Sequence, residues 1–149
     1  MGSEMCIRDS MMPKNEPVFF EYTLTVPHSA IDVHGITNNA QYVRWMEEAA
    51  IAHSTENGWG ANECQAIGGT WKVRNHSIEY ISPALVGDTV TVATRIKSFG
   101  RATLDREYFI RKEDVILVEA ITTWVWVDFE TGRPLRVPVE IASSFSQGT

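Results

Sequence analysis

The spacing of apolar residues along the chain predicts one long helix and five strands. From Asn38 to Gly58, apolar side chains recur every three or four residues, as on a helix with one buried face; the stripe comprises Tyr42, Trp45, Met46, Ala49 and Ala52. Asn38 or Asn39 can cap the first amides, and Gly58 suits the left-handed residue that follows a helix end. Residues rich in β-branched and aromatic types predict strands at 18–26, 71–81, 89–98, 102–111 and 115–129.

The order of these elements predicts an α+β fold. A strand comes first, then the helix, and then four strands joined mostly by tight turns, which favours an antiparallel sheet. One helix and a five-stranded sheet bury each other only if the sheet wraps around one long central helix. We expect Phe109 and either Trp124 or Trp126 on the outer sheet face, which would favour a homodimer or homotetramer.

The two ends of the chain show no such pattern. Residues 1–16 have neither helical nor strand periodicity and are interpreted as a disordered or non-native leader. Residues 17–142 form the predicted domain. Residues 143–149 are rich in Ser and Gly and are predicted to be a flexible tail.

Composition narrows the class of protein. The chain has 149 residues, enough for one domain, and its formal net charge of −6 argues against binding nucleic acid or an anionic membrane surface. Cys6 and Cys64 are too few for a disulfide framework or a Cys-rich zinc site, and the four histidines are scattered, so no metal is expected. No apolar run is long enough to span a bilayer, and a cytoplasmic location is predicted.

The loop before the helix carries the candidate chemistry. Asp32 precedes Asn39, at the helix start, by seven residues, so its carboxylate could lie near the unpaired amides and the dipole of the helix N-terminus. A carboxylate beside such donors suits hydrolysis of an activated acyl group. The alternative is an Asp that only caps a turn. His34 is interpreted as an exposed loop residue.

Two segments resemble a known family. The pattern formed by Asp32, Gly35, Ile36, Tyr42 and Trp45 resembles the signature of hotdog-fold acyl-CoA thioesterases of the 4-hydroxybenzoyl-CoA thioesterase-like branch. Ile36 stands where the commoner relatives carry His, although Asn38 and Asn39 are kept. The stretch 75–83, followed by Gly87 and Asp88, resembles the family's second strand and turn, so the resemblance covers roughly residues 18–138.

The resemblance implies roles for the loop and helix residues. Asp32 would be the nucleophile or general base, and the backbone amide of Asn39 would polarise the thioester carbonyl. The remaining signature positions would contact the substrate, with packing as the alternative for the two aromatic residues; these positions are Gly35, Ile36, Asn38, Tyr42 and Trp45. No cofactor is implied beyond the coenzyme A of the acyl-CoA substrate, and the site would lie at a subunit interface.

Coenzyme A carries phosphates, so an acidic protein must hold it with a local basic cluster. Arg95 and Arg101, with Lys97, flank one predicted hairpin, and Arg133 lies with Arg136 after the last strand. Either cluster could hold the phosphates, or such charges could simply protect sheet edges.

Two other functions stay open. One is an acyl-CoA-binding protein without hydrolysis, since a fold does not establish an activity. The other is a hydratase or dehydratase, which would pair His34 with Asp32 or Glu48. The identity and length of the acyl group are not predicted.

Overall fold

The computed structural model describes residues 18–147, so the predicted leader, 1–16, lies outside the described residues. Five antiparallel strands form one sheet with the order β1-β3-β4-β5-β2. The strands are β1 (Phe20–Thr25), β2 (Gly69–Tyr80), β3 (Thr89–Phe99), β4 (Thr103–Lys112) and β5 (Val115–Asp128). The helices are α1 (Asn39–Glu56), α2 (Ala61–Ala66) and α3 (Val139–Gln147), and a 3-10 turn spans His28–Ala30.

The long helix α1 lies across the inner face of the sheet, as the apolar spacing predicts. Its buried residues are Tyr42, Trp45, Met46, Ala49 and Ala50. Alternate residues of β4 face it and are buried, because successive side chains of a strand point to opposite faces; they are Leu104, Arg106, Tyr108 and Ile110. The prediction of an α+β fold, with a five-stranded antiparallel sheet around one long helix, is confirmed.

The two tryptophans of β5 do not lie on the outer face. Trp124 pairs in register with buried Leu104, and Trp126 is itself buried, so both point toward the helices. The expectation that one of them would be on the outer face is wrong, because they are two residues apart and share the inner face. Phe109 does lie on the opposite face from its buried neighbours, where its ring meets Phe19 edge-on at 5.7 Å.

The C-terminal segment is helical, so the expected flexible tail from residue 143 is wrong as far as Gln147. α3 buries Ile141 and Phe145 against Trp126. Its serines do not break the helix, because the Ser144 hydroxyl donates to the carbonyl of Ile141. Composition alone therefore misrepresented a segment that tertiary packing orders.

The stretch between α1 and β2 contains the short helix α2. Its Cys64 is buried with Trp126, and burial raises the pKa of the thiol, which disfavours the reactive thiolate. Within residues 18–147, no helix has both the length and the apolar character needed to cross a membrane.

Candidate active site

A closed loop leads directly into α1. A bridge between Ile31 and Thr37 joins its two ends, and the amide of Asp32 donates to the carbonyl of Ile36 at 2.8 Å. Both the amide and the hydroxyl of Thr37 donate to the carbonyl of Ala84, at 3.1 and 2.8 Å. The loop is thus attached to the segment between β2 and β3, immediately before the helix begins.

The Asp32 carboxylate is half-buried within this loop. Its Oδ1 accepts hydrogen bonds from the amides of His34, at 2.8 Å, and of Ile36, at 3.4 Å. Oδ2 has no partner among residues 18–147. Asp32 therefore caps a turn with Oδ1, as the alternative interpretation expects, while Oδ2 is free to act on a ligand.

The first turn of α1 leaves one amide free. The Asn38 side chain caps the helix by accepting from the amide of Ala40 at 2.9 Å. The amides of Asn38 and Gln41 donate to the carbonyls of Ala30 and Asn38. In the described part of the chain, the Asn39 N–H has no partner, and the first turn holds no acidic residue that would compensate the helix dipole. This N–H is the donor that the resemblance implies.

Two other predicted loop residues serve the shape of the loop. Gly35 has a φ of +84°, in the left-handed region that glycine adopts without strain, and a Cβ there would meet nothing within 4 Å. Ile36 holds the Asp32 backbone and carboxylate through its own carbonyl and amide. Contact of either residue with a substrate stays a prediction.

Tyr42 and Trp45 lie in the hydrophobic core. The Tyr42 hydroxyl accepts from the amide of Ala84 at 2.9 Å, and its ring meets those of Trp45 and Tyr80 at 5.5 and 5.6 Å. These contacts favour packing, the alternative left open by the sequence. Tyr42 thus links α1 to the segment between β2 and β3, in which the Ala84 carbonyl also accepts from Thr37.

The predicted basic residues have different surroundings. Arg95 forms an ion pair with Glu107 at 3.2 Å and lies over the Phe19 ring, so its charge is already compensated. Arg101 and Arg133 are exposed and have no acidic partner within residues 18–147. Because the carbonyl of Arg101 accepts from the amide of Val137, Arg101 lies near Arg136, and the two predicted clusters meet at one end of the sheet.

A pocket of about 240 Å³ opens at the C-terminal end of α1, opposite the end that follows the Asp32 loop. We call it the Trp pocket, because Trp59, Trp71 and Trp124 line it together with Ala50, Ser54, Leu104 and Arg106. Sequence reasoning missed it, because its walls come from two helices and three strands. Gly69 lies behind one wall, where a Cβ would overlap the Trp126 ring.

A buried arginine forms part of that pocket. Arg106 is 2% exposed, and its Nη1 donates to His53 Nδ1 at 3.0 Å and to the Thr94 hydroxyl at 3.2 Å. Burial lowers the pKa of Arg106 to about 10. Burial, followed by the Arg106 charge, lowers the pKa of His53 to about 4, so this imidazole is a neutral acceptor near neutral pH.

A histidine–carboxylate pair also lies between α1 and β2. His76 Nε2 is 3.9 Å from a carboxylate oxygen of Glu47, and its Nδ1 shares a 2.7 Å hydrogen bond with the Thr122 hydroxyl. Glu48, in contrast, accepts from the Tyr22 hydroxyl at 3.0 Å. No group of three His, Cys, Asp or Glu side chains in the described ranges has a metal-binding arrangement.

The chain matches the family described as the thioesterase-like superfamily over residues 26–145, so it belongs to that superfamily. Its five-stranded sheet around one helix is the hotdog fold of these proteins. The predictions of the family and of a thioester hydrolase are therefore confirmed.

Three relatives illustrate the likeness. The chain is 30% identical over 129 residues to the acyl-acyl carrier protein thioesterase ATL2 of Arabidopsis thaliana, covering 85% of this chain and 68% of that one. It is 26% identical to the acyl-CoA thioester hydrolase YbgC of Escherichia coli O6:H1, covering 86% and 96%. The crystal structure of a hypothetical protein from Aquifex aeolicus superposes with a TM-score of 0.79 at 25% identity, covering 85% and 98%.

Proposed function

We propose that this protein hydrolyses the thioester of an acyl-CoA to a carboxylic acid and free coenzyme A. The observation that carries the proposal is a half-buried Asp32 carboxylate, with one oxygen unpartnered among residues 18–147, in the closed loop that leads directly into the helix start, where the Asn39 amide is also unpartnered. The relatives named as thioesterases for acyl-acyl carrier protein or for acyl-CoA support the same reaction.

In the proposed reaction, the thioester carbonyl oxygen accepts a hydrogen bond from the Asn39 amide. Asp32 Oδ2 either removes a proton from an attacking water or attacks the carbonyl carbon itself. Negative charge develops on the carbonyl oxygen, where the amide and the helix dipole stabilise it. The C–S bond then breaks, and the leaving thiolate takes the proton that Asp32 removed from the attacking water. In the nucleophilic route, the thiolate instead takes a proton from a water molecule, whose hydroxide hydrolyses the anhydride between the acyl group and Asp32, giving the acid and the free Asp32 carboxylate.

We further propose that the site is completed by a second subunit. Asn39 lies at the start of α1, whereas Ser54, near its end, lines the Trp pocket. At a rise of 1.5 Å per residue, the two residues are about 22 Å apart, and a compact acyl group cannot span that distance. β2 forms one edge of the sheet, and its 12 residues pair only with β5 among the described residues.

Pairing of two β2 edges about a twofold axis would bring complementary ends together. The helix start lies at the Tyr80 end of β2, while the Trp pocket lies at the Trp71 end. In an antiparallel pair, the Tyr80 end of one copy lies beside the Trp71 end of the other. Exposed apolar residues of β2, Val73 and Tyr80, support such an interface.

The experiment that tests the catalytic assignment is Asp32→Asn, assayed by thiol release over a panel of acyl-CoAs. The amide oxygen of Asn can still accept from the amides of His34 and Ile36, so the loop is preserved while the base is removed. We expect kcat to fall about 10²- to 10⁴-fold. Turnover close to wild type would exclude Asp32 as the base or nucleophile.

A matched control is available in the same chain. The Asp128 carboxylate also accepts from turn amides, those of Glu130 and Thr131, at 3.0 and 2.8 Å. Asp128→Asn makes the same chemical change in the same kind of turn, and we expect kcat to stay unchanged. Silence of the wild-type protein on every acyl-CoA, with binding retained, would favour the non-hydrolytic binder.

A further inference from the structure

Arg106 is a buried cation whose charge no carboxylate compensates. Within residues 18–147 it forms no ion pair, and its two acceptors, His53 and Thr94, are neutral groups. Removing an ion from water costs several kcal/mol unless an opposite charge or well-placed hydrogen bonds compensate it. Arg106 is still protonated near neutral pH, since its pKa is about 10.

The wall around Arg106 offers no carboxylate among its lining residues. The buried indole N–H of Trp124 lies near the Tyr108 hydroxyl, so Arg106 is the cationic donor that the pocket presents to a ligand. The remaining pocket surface is mainly aromatic or aliphatic, from Trp59, Trp71 and Leu104. Such a wall suits a ligand that has an apolar body and one oxygen-bearing, negatively charged end.

We propose that the Trp pocket binds the end of the acyl group farthest from the thioester, and that Arg106 recognises a carboxylate carried there. This inference rests on the proposed function and names its substrate class: coenzyme A thioesters of compact dicarboxylic acids, linear or with one ring. The guanidinium would exchange an uncompensated buried charge for a charge-assisted ion pair.

The size of the pocket limits that class. An apolar cavity of about 150 Å³ holds one benzene molecule. The Trp pocket, at about 240 Å³, therefore has space for one ring or a short chain with its carboxylate, and not for a long fatty acyl chain. Long-chain acyl-CoAs are excluded from the proposed class.

The test compares acyl groups that differ only at the distal end. The probes are adipoyl-CoA against hexanoyl-CoA, and 4-carboxybenzoyl-CoA against 4-methylbenzoyl-CoA, assayed by thiol release with the wild-type protein. We expect kcat/KM to favour the carboxylate about 10- to 100-fold, the range of a hydrogen bond to a charged group. No preference, or a preference for the methyl end, would overturn the proposal.

Arg106→Gln tests whether the Arg106 side chain recognises the distal carboxylate. Gln keeps an N–H donor for His53 or Thr94 and removes the charge, so we expect the preference to fall to about one while the methyl-ended substrates keep most of their turnover. The matched control is Arg111→Gln, in the same strand on the opposite face, where Arg111 pairs with Glu21 at 3.0 Å. A preference that persists in Arg106→Gln would overturn the assignment. If Arg106→Gln does not fold, the wild-type comparison alone decides.

Binding separates this inference from the proposed function. Thioether analogues of the adipoyl and hexanoyl probes cannot be hydrolysed, and quenching of tryptophan fluorescence reports their binding beside Trp59, Trp71 and Trp124. Tighter binding of the carboxylate analogue without any thioester hydrolysis would support the pocket assignment and overturn the hydrolase. Hydrolysis with equal binding of both analogues would overturn the pocket assignment and leave the hydrolase.

Discussion

The two ends of α1 are built in opposite ways. At the N-terminal end, a half-buried carboxylate, a glycine with positive φ and a capping asparagine lie within seven residues of each other: Asp32, Gly35 and Asn38. At the other end, the Trp pocket gathers side chains from α1, α2, β2, β4 and β5 around Arg106. The groups proposed to cleave the thioester are thus local in sequence, while the groups proposed to select the acyl chain are assembled by the whole fold.

The strongest test of this comparison mixes two variants that we expect to be inactive. Asp32→Asn removes the proposed base, and Ser54→Phe fills the Trp pocket from α1. If a site combines Asp32 of one subunit with the pocket of the other, each mixed dimer has one intact site. Random mixing should then restore about a quarter of wild-type activity, because half of the dimers are mixed.

The measurement is thiol release after the two variants are unfolded together and refolded. Each variant refolded alone gives the baseline. No gain on mixing, with mixed dimers shown by two different tags, would place both parts of the site within one subunit.

A smaller effect is expected at Tyr42, an aromatic residue of the signature that packs in the hydrophobic core. Tyr42→Phe removes the hydroxyl that accepts from the buried amide of Ala84. We expect the free energy of unfolding to fall by about 1–3 kcal/mol, the penalty for an unpaired buried donor, with KM nearly unchanged. Denaturant unfolding and acyl-CoA kinetics measure the two quantities.

The control for that change is Tyr80→Phe. Tyr80 packs against Tyr42, but its side chain is exposed and its hydroxyl makes no hydrogen bond within residues 18–147. Unchanged stability in Tyr42→Phe, together with a KM raised many-fold, would instead place the Tyr42 hydroxyl in the substrate site.

The smallest expected effect concerns pH and the Arg106 end of the helix. The pKa of His53 is about 4 in the folded protein and about 6.5 when unfolded, so between these values the unfolded chain binds more protons. Stability should therefore fall as pH is lowered through this window. We expect His53→Gln to reduce the fall in Tm between about pH 7 and about pH 5 by a few degrees.

Thermal unfolding at the two pH values measures this difference. His28→Gln exchanges an exposed histidine in the 3-10 turn and should retain the wild-type fall in Tm. An equal fall in His53→Gln would show that the Arg106–His53 contact does not control the acid sensitivity.

Much of the fold could be read from local patterns. The apolar spacing of α1 and the alternation in the strands identified every long element, because burial of one face repeats with the period of the element itself. The short helices α2 and α3 were missed because no such local pattern marks them. Their order comes from packing around Trp126, which composition does not report.

By itself the sequence determined the Asp32 loop, because Asp32, the glycine turn and the helix cap are neighbours along the chain and act through local hydrogen bonds. Only the tertiary structure decided the hydrogen bond that the Tyr42 hydroxyl accepts from the Ala84 amide and the placing of Arg106 inside the Trp pocket. An arginine in a strand faces solvent or core according to register. The curvature of the sheet around α1 then determines whether a buried position meets a side chain or a cavity.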